Sequence, residues 1–84
     1  MYYTYVLINS DLRRTYTGHT ANIEKRIKEH NDGVVKSSKQ YRPYKILLLE
    51  EFDTLKEAKR REMYYKNYRG RQKLKEVIDA SKDS

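Results

Sequence analysis

The chain reads as an α/β protein of the α+β kind: a three-stranded, mainly antiparallel sheet flanked by three helices, in the order ββαβαα. Three observations predict this. Two β-rich runs flank one turn signal at the start of the chain; an apolar run, Ile46 to Leu49, stands alone in the middle; and three other stretches space their apolar residues at helical intervals. At 84 residues there is room for one core only. A single domain is expected over 1–80, with 81–84 as a frayed tail.

Tyr2 to Ile8 is aromatic and β-branched, as strands are. Asn9, Ser10 and Asp11 supply a turn, and Arg14 to Gly18 returns as the second strand of a hairpin. A loop over Asn9 to Leu12 sets Tyr5 directly opposite Tyr16, on one sheet face. Gly18 ends that strand, Thr20 or Asn22 caps a helix to about Asn31, and Asp32-Gly33 stops it. Ile23 and Ile27 form its buried stripe. Arg26 and His30 lie about 60° and 20° from Ile23, on the flank of the stripe, at about 100° per residue. The polar, basic connection VVKSSKQYRPY has no helical period and reads as a loop. Lys45 to Phe52 is apolar enough for a buried central strand. Thr54 and Glu57 form a capping box for a second helix, with Gly70 as its stop; Leu74, Val77 and Ile78 give the face of a third.

Charge narrows the function classes. Lys and Arg number 19 against 12 acidic residues, a formal +7, which suits a polyanionic partner such as nucleic acid. A basic protein that is simply soluble has the same balance. With no cysteine, disulfides and thiolate-ligated metals are excluded. The opening MYYTYVLI is too short to span a bilayer and lacks the charged lead of a signal peptide. No membrane association and a cytoplasmic location are expected, with the chain a monomer or weak dimer.

The second helix holds an anomaly. Leu55, Ala58, Glu62 and Tyr65 share its apolar face, so Glu62 points at the sheet. A buried lone carboxylate costs several kcal/mol unless it is paired, protonated or bound to metal. Either Glu62 pairs internally with Arg26 or Arg61, or it is a ligand for a hard cation such as Mg²⁺. Tyr5 and Tyr16 are read as cross-strand sheet packing or as chemistry, and His30 as a satisfied half-buried imidazole or a site group. His19 falls at the lip of the same site or in a solvated loop. Lys36, Lys39, Arg42, Arg60, Arg61, Arg69 and Arg71 are candidate nucleic-acid contacts or an ordinary solvated face.

Taken together, these positions resemble the GIY-YIG nuclease superfamily, and its small stand-alone bacterial members above all. Tyr3-Thr4-Tyr5 matches the first motif and Tyr16-Thr17-Gly18 the second, with the motif tyrosines eleven residues apart. Arg26, ten residues after Tyr16, matches the motif arginine, His30 a frequent histidine one turn later, and Glu62 the metal-binding glutamate. His30 to Gly33 and Arg42-Pro43 also look like the stand-alone members, and the likeness runs from Tyr2 to about Ile78. Tyr3 and Thr4 depart from the motif's glycine and isoleucine. Asn67 is the only late asparagine where many members carry one, and it is left unassigned.

The resemblance implies metal-dependent endonucleolytic hydrolysis of nucleic acid, DNA being the expected substrate and repair an expected setting. Glu62 would hold Mg²⁺ or Mn²⁺, Arg26 would stabilise pentavalent charge, and Tyr5 or Tyr16 would take a proton from water. Forming a phenolate at pH 7 costs about 4 kcal/mol, so the metal, Arg26 and a protonated His30 are expected close by. Gly18 and His19 would let backbone approach the phosphate. The alternative is a nucleic-acid-binding module on the same scaffold with weak or lost catalysis.

Overall fold

The computed structural model describes residues 1–82. In chain order it comprises β1 (Tyr2–Asn9), β2 (Thr15–Thr20), α1 (Ile23–Asn31), a 3-10 turn (Lys39–Tyr41), β3 (Tyr44–Phe52), α2 (Leu55–Lys66) and α3 (Tyr68–Lys82). β1 pairs antiparallel with both other strands, giving the sheet order β2-β1-β3. The expected ββαβαα architecture is the one observed. The expected tail begins inside α3, and Asp83 and Ser84 lie outside the described residues.

β1 is the middle strand because both its faces are covered. Tyr5 and Leu7 join Tyr44, packed by Tyr16, Ile23, Ile27 and Tyr41, on the α1 side. Val6 joins Tyr65 and Leu74, packed by Leu47, Leu48 and Tyr64, on the α2–α3 side. Each such aliphatic burial contributes about 1.5–3 kcal/mol. β3 is therefore an edge strand and not the buried centre that its leucines suggest: Ile46 and Leu49 are each 41% exposed. Its pairing with β1 slips between Val6 and Leu7, which face Leu48 and Ile46. That bulge leaves Leu47 and Leu48 packed against the same core, so the apolar run reflects a bulge and not two covered faces.

The hairpin differs from expectation by two residues. The Asn9 side-chain oxygen accepts the N–H groups of Arg13 and Arg14 at 3.0 and 2.9 Å, and Leu12 adopts φ 60°. This longer loop sets Tyr5 opposite Gly18 and Tyr16 opposite Leu7, so the two tyrosines are not directly paired. A slip of two keeps the face. They stay on one side of the sheet as diagonal neighbours. β2 also continues past Gly18, which makes His19 a strand residue opposite Thr4 and not part of a loop.

Caps fix the helices that carry the site. Asn22 accepts the Lys25 N–H at 3.1 Å, and Gly33 at φ 80° follows the end of α1. Thr54 accepts the Glu57 N–H at 3.2 Å and starts α2 as expected. Gly70 is not the stop of α2. Asn67 is: its N–H bonds Tyr64 O, while its side-chain oxygen accepts the Gly70 N–H at 3.0 Å and caps α3. Gly70 lies in the first turn of α3, where a Cβ would strike the Tyr64 carbonyl oxygen and come 2.5 Å from Tyr65 Cα. Close approach of two helices requires this glycine, not chain reversal.

Candidate active site

The register sets Tyr5 against Gly18, and the phenol fills the room that glycine leaves. A Cβ at Gly18 would lie 2.5 Å from Tyr5 Oη and 2.7 Å from Cζ. The glycine thus serves the tyrosine, where the sequence reading reserved its space for a phosphate.

From Tyr5 a buried hydrogen-bond chain runs in two directions. Arg26 Nε–H donates to Tyr5 Oη at 3.1 Å. Tyr5 Oη and His30 Nε2 are 3.2 Å apart, and His30 Nδ1 and Ser38 Oγ 2.7 Å. Counting donors assigns the protons. Arg26 can only donate, so the hydroxyl proton of Tyr5 has one possible acceptor, His30 Nε2. His30 Nδ1 then carries the ring proton and donates to Ser38 Oγ, which donates in turn to Val35 O at 3.4 Å. Any other assignment strands a donor inside the protein, at about 1–3 kcal/mol.

The electrostatics agree with this count. His30 and Ser38 are fully buried and Tyr5 is 1% exposed. Burial, then the Arg26 charge, hold the His30 imidazolium below its ordinary value, so His30 is neutral where the mechanism implied by the resemblance has it protonated, and it is fully buried where the sequence suggests half-burial. Burial pushes the Tyr5 hydroxyl up, the Arg26 hydrogen bond offsetting only part, with Tyr16 and Glu62 adding to the rise. Tyr16 differs from Tyr5: it is half-buried, its ring centroid is 4.4 Å from that of His30, and among the described residues its hydroxyl has no hydrogen-bond partner.

Glu62 comes from the other side of the sheet. β-strand alternation turns Tyr16 and Gly18 toward α1 and His19 toward α2. His19 Nδ1 lies 2.6 Å from Glu62 Oε1, and Lys66 Nζ donates to Oε2 at 2.7 Å. The internal partners of Glu62 are therefore His19 and Lys66, not Arg26 or Arg61. Arg61 is held by Glu50 at 2.8 Å and stacks over Tyr64 and Tyr65. Burial would raise the Glu62 carboxyl, but the hydrogen bonds from Lys66 and His19 outweigh it and hold it below the ordinary value. The two halves of the site thus lie on opposite faces of the sheet, joined by the edge strand β2, which carries Tyr16 on one face and the Glu62 partner His19 on the other.

Glu62 fits a hard divalent cation by its donor chemistry: one ionised carboxylate, 16% exposed, beside an open edge where waters can complete the shell. Among the described residues no cluster of three or more His, Asp or Glu side chains surrounds a metal position.

The expected basic contacts are scattered. Lys36, Lys39 and Arg42 are exposed on the α1–β3 connection, with the Arg42 guanidinium against Gly33. Arg60 is on the outer side of α2 with Leu55 and Met63, and Arg69 is exposed on α3. Only Arg71 adjoins the site, lining with Lys66 and Tyr16 a cavity of about 260 Å³. Sequence reasoning missed Ser38 and Lys66. Lys66 had a signal, its i+4 spacing from Glu62; Ser38 had none.

Residues 1–75 match the family described as GIY-YIG catalytic domain. The chain is 40% identical over 82 residues to a UPF0213 protein of Clostridium perfringens, covering 96% of this chain and 87% of that protein. It is 43% identical over 74 residues to a UPF0213 protein of Syntrophus aciditrophicus, covering 86% and 84%. The solution NMR structure of a UPF0213 protein from Bacillus halodurans has a similar fold, with TM-score 0.53 and 31% identity over 92% of this chain and 85% of that one. With the two tyrosines, the arginine and the glutamate in the places described, the chain belongs to the GIY-YIG family of the nuclease superfamily.

Proposed function

We propose that this protein is an endonuclease that hydrolyses DNA phosphodiester bonds with a divalent cation at Glu62. The observation that carries the reading is the chain Arg26–Tyr5–His30–Ser38, buried from Tyr5 inward, which fixes a half-exposed guanidinium beside an uncommitted phenol, Tyr16. Structural packing needs no such arrangement of polar groups in a core of this size.

Tyr16 is the phenol placed to accept a hydrogen bond from an attacking water. Tyr5 is not, because both its hydrogen bonds are committed and burial disfavours its phenolate. Tyr5 positions Arg26 by engaging Nε; Nη1 lies 3.6 Å from Glu29 Oε1, which leaves Nη2 to bond a phosphoryl oxygen and stabilise charge in the transition state. Neutral His30 accepts the Tyr5 proton in a hydrogen bond and so keeps the phenol oxygen turned to Arg26. Glu62 would hold the Mg²⁺ or Mn²⁺ ion, which when bound supplies charge stabilisation at the phosphoryl and leaving oxygens.

One observation favours a second reading, a nucleic-acid-binding module without catalysis: His19 and Lys66 already occupy the two carboxylate oxygens of Glu62. The pure protein, incubated with single-stranded, duplex and branched DNA and with RNA, in Mg²⁺ or in EDTA, separates the two. Cleavage is expected that needs the metal, vanishes in Glu62→Ala and falls by about 10²- to 10⁴-fold in Tyr16→Phe. Salt-sensitive binding without cleavage of any substrate would leave the second reading standing.

A further inference from the structure

Beside Glu62, the edge of β2 and the face of α3 enclose two cavities. The first, about 260 Å³, is lined by Thr15, Tyr16, Thr17, Lys66 and Arg71 among others; the second, about 420 Å³, by Thr15, Arg71, Leu74, Lys75, Ile78, Asp79 and Lys82. They share Thr15, Arg71 and Leu74, so they form one groove that starts at the partner of Glu62 and runs along α3. Arg71, Leu74, Lys75, Ile78 and Lys82 fall at i, i+3, i+4, i+7 and i+11, a single helix face. Arg71 and Lys75 are about 6 Å apart along the axis, at 1.5 Å per residue. Neither they nor Lys82 is ion-paired among the described residues. Among the described residues that line the groove, the single carboxylate is Asp79, near its far end.

We propose that this groove carries the DNA strand to be cut, single-stranded, with Arg71 and Lys75 on successive phosphates leading away from Glu62. The proposal rests on the nuclease reading for what happens at Glu62. The occupant follows from three features. A row of cations beside a carboxylate that suits a metal calls for a polyanion that reaches both. Cavities of this size admit a phosphate and its sugar but not a duplex. The Leu74 and Ile78 side chains between the cations favour deoxyribose, since a ribose 2′-hydroxyl against them would lose hydrogen bonds to water.

The test is binding of a fluorescent DNA 12-mer to the full chain in EDTA, so that nothing is cut, across a range of salt. Arg71→Ala/Lys75→Ala is expected to weaken binding severalfold and to flatten the slope of log K on log salt by about 1.4, about 0.7 for each phosphate no longer neutralised. Both residues are exposed, and an unchanged melting temperature checks that the variant folds. Lys45→Ala/Lys56→Ala removes the same charge elsewhere and is expected to keep the wild-type slope. An equal loss in that control, or an unchanged slope in the groove variant, would overturn the proposal. Tighter binding of an RNA 12-mer, or equal competition by an oligoglutamate peptide, would overturn the choice of DNA. Because no metal is present, the groove can fail while cleavage holds, and cleavage can fail while the groove binds.

Discussion

Ser38 accepts the one ring proton that Arg26 and Tyr5 leave on His30 Nδ1. Ser38→Ala leaves the Nδ1–H of a fully buried ring without its acceptor. The expected result is a loss of about 1–3 kcal/mol in denaturant unfolding. The ¹⁵N shifts of the His30 ring should still report the Nδ1–H tautomer, because the Tyr5 proton keeps Nε2 as its acceptor; a switch to Nε2–H would refute the assignment. Tyr5, Tyr16, Arg26, His30 and Glu62 stand out in the sequence as candidates because together they keep the spacing of the family's motifs. Ser38 does not: it follows Ser37 in a stretch without period, and only the turn before Lys39–Tyr41 buries one serine and exposes the other. His19 as the partner of Glu62 was hidden for a different reason. A glycine reads as the end of a strand, whereas Gly18 lies inside β2 because Tyr5 crosses it.

At the scale of elements, caps were readable and contacts between elements were not. Asn22, Gly33 and Thr54 act locally, through bonds to residues three or so away, and the sequence contains all that such a bond requires. Strand order, the bulge in β3 and the hairpin register depend on what packs on each face, which no window of the sequence contains. Gly70 joins the two cases, a local punctuation signal used for a non-local purpose. Gly70→Ala is expected to drive α3 off the end of α2, since the new Cβ meets backbone that cannot rotate away. A loss of about 3 kcal/mol or more is expected in thermal or chemical unfolding, the upper end of what overpacking costs. If the variant melts like wild type, the close approach of the two helices is wrong.

For the whole molecule, the neutral buried imidazole makes stability depend on pH. Folding holds His30 below its ordinary value of 6.5, so the unfolded chain binds more protons in acid. The contribution of His30 is full above about 6.5 and declines as the pH falls from there toward the lower folded value. Urea unfolding should show a decline between pH 7.5 and pH 5 that is reduced in His30→Gln; the same slope in both would refute the assignment. Glu62, a carboxyl held low, loses its contribution only at lower pH. Among the described residues β2 pairs with β1 alone, which leaves its outer border unpaired and bears on assembly. A naked strand edge is a template for another chain, and proteins commonly cover it. Here covering it would run backbone past Tyr16 and the cavity that it lines with Lys66 and Arg71. Self-association through β2 and an open site exclude each other, which leaves β3 or the outer helix faces for any dimer. By the same geometry, a short peptide that adds itself as a fourth strand would act as a plug.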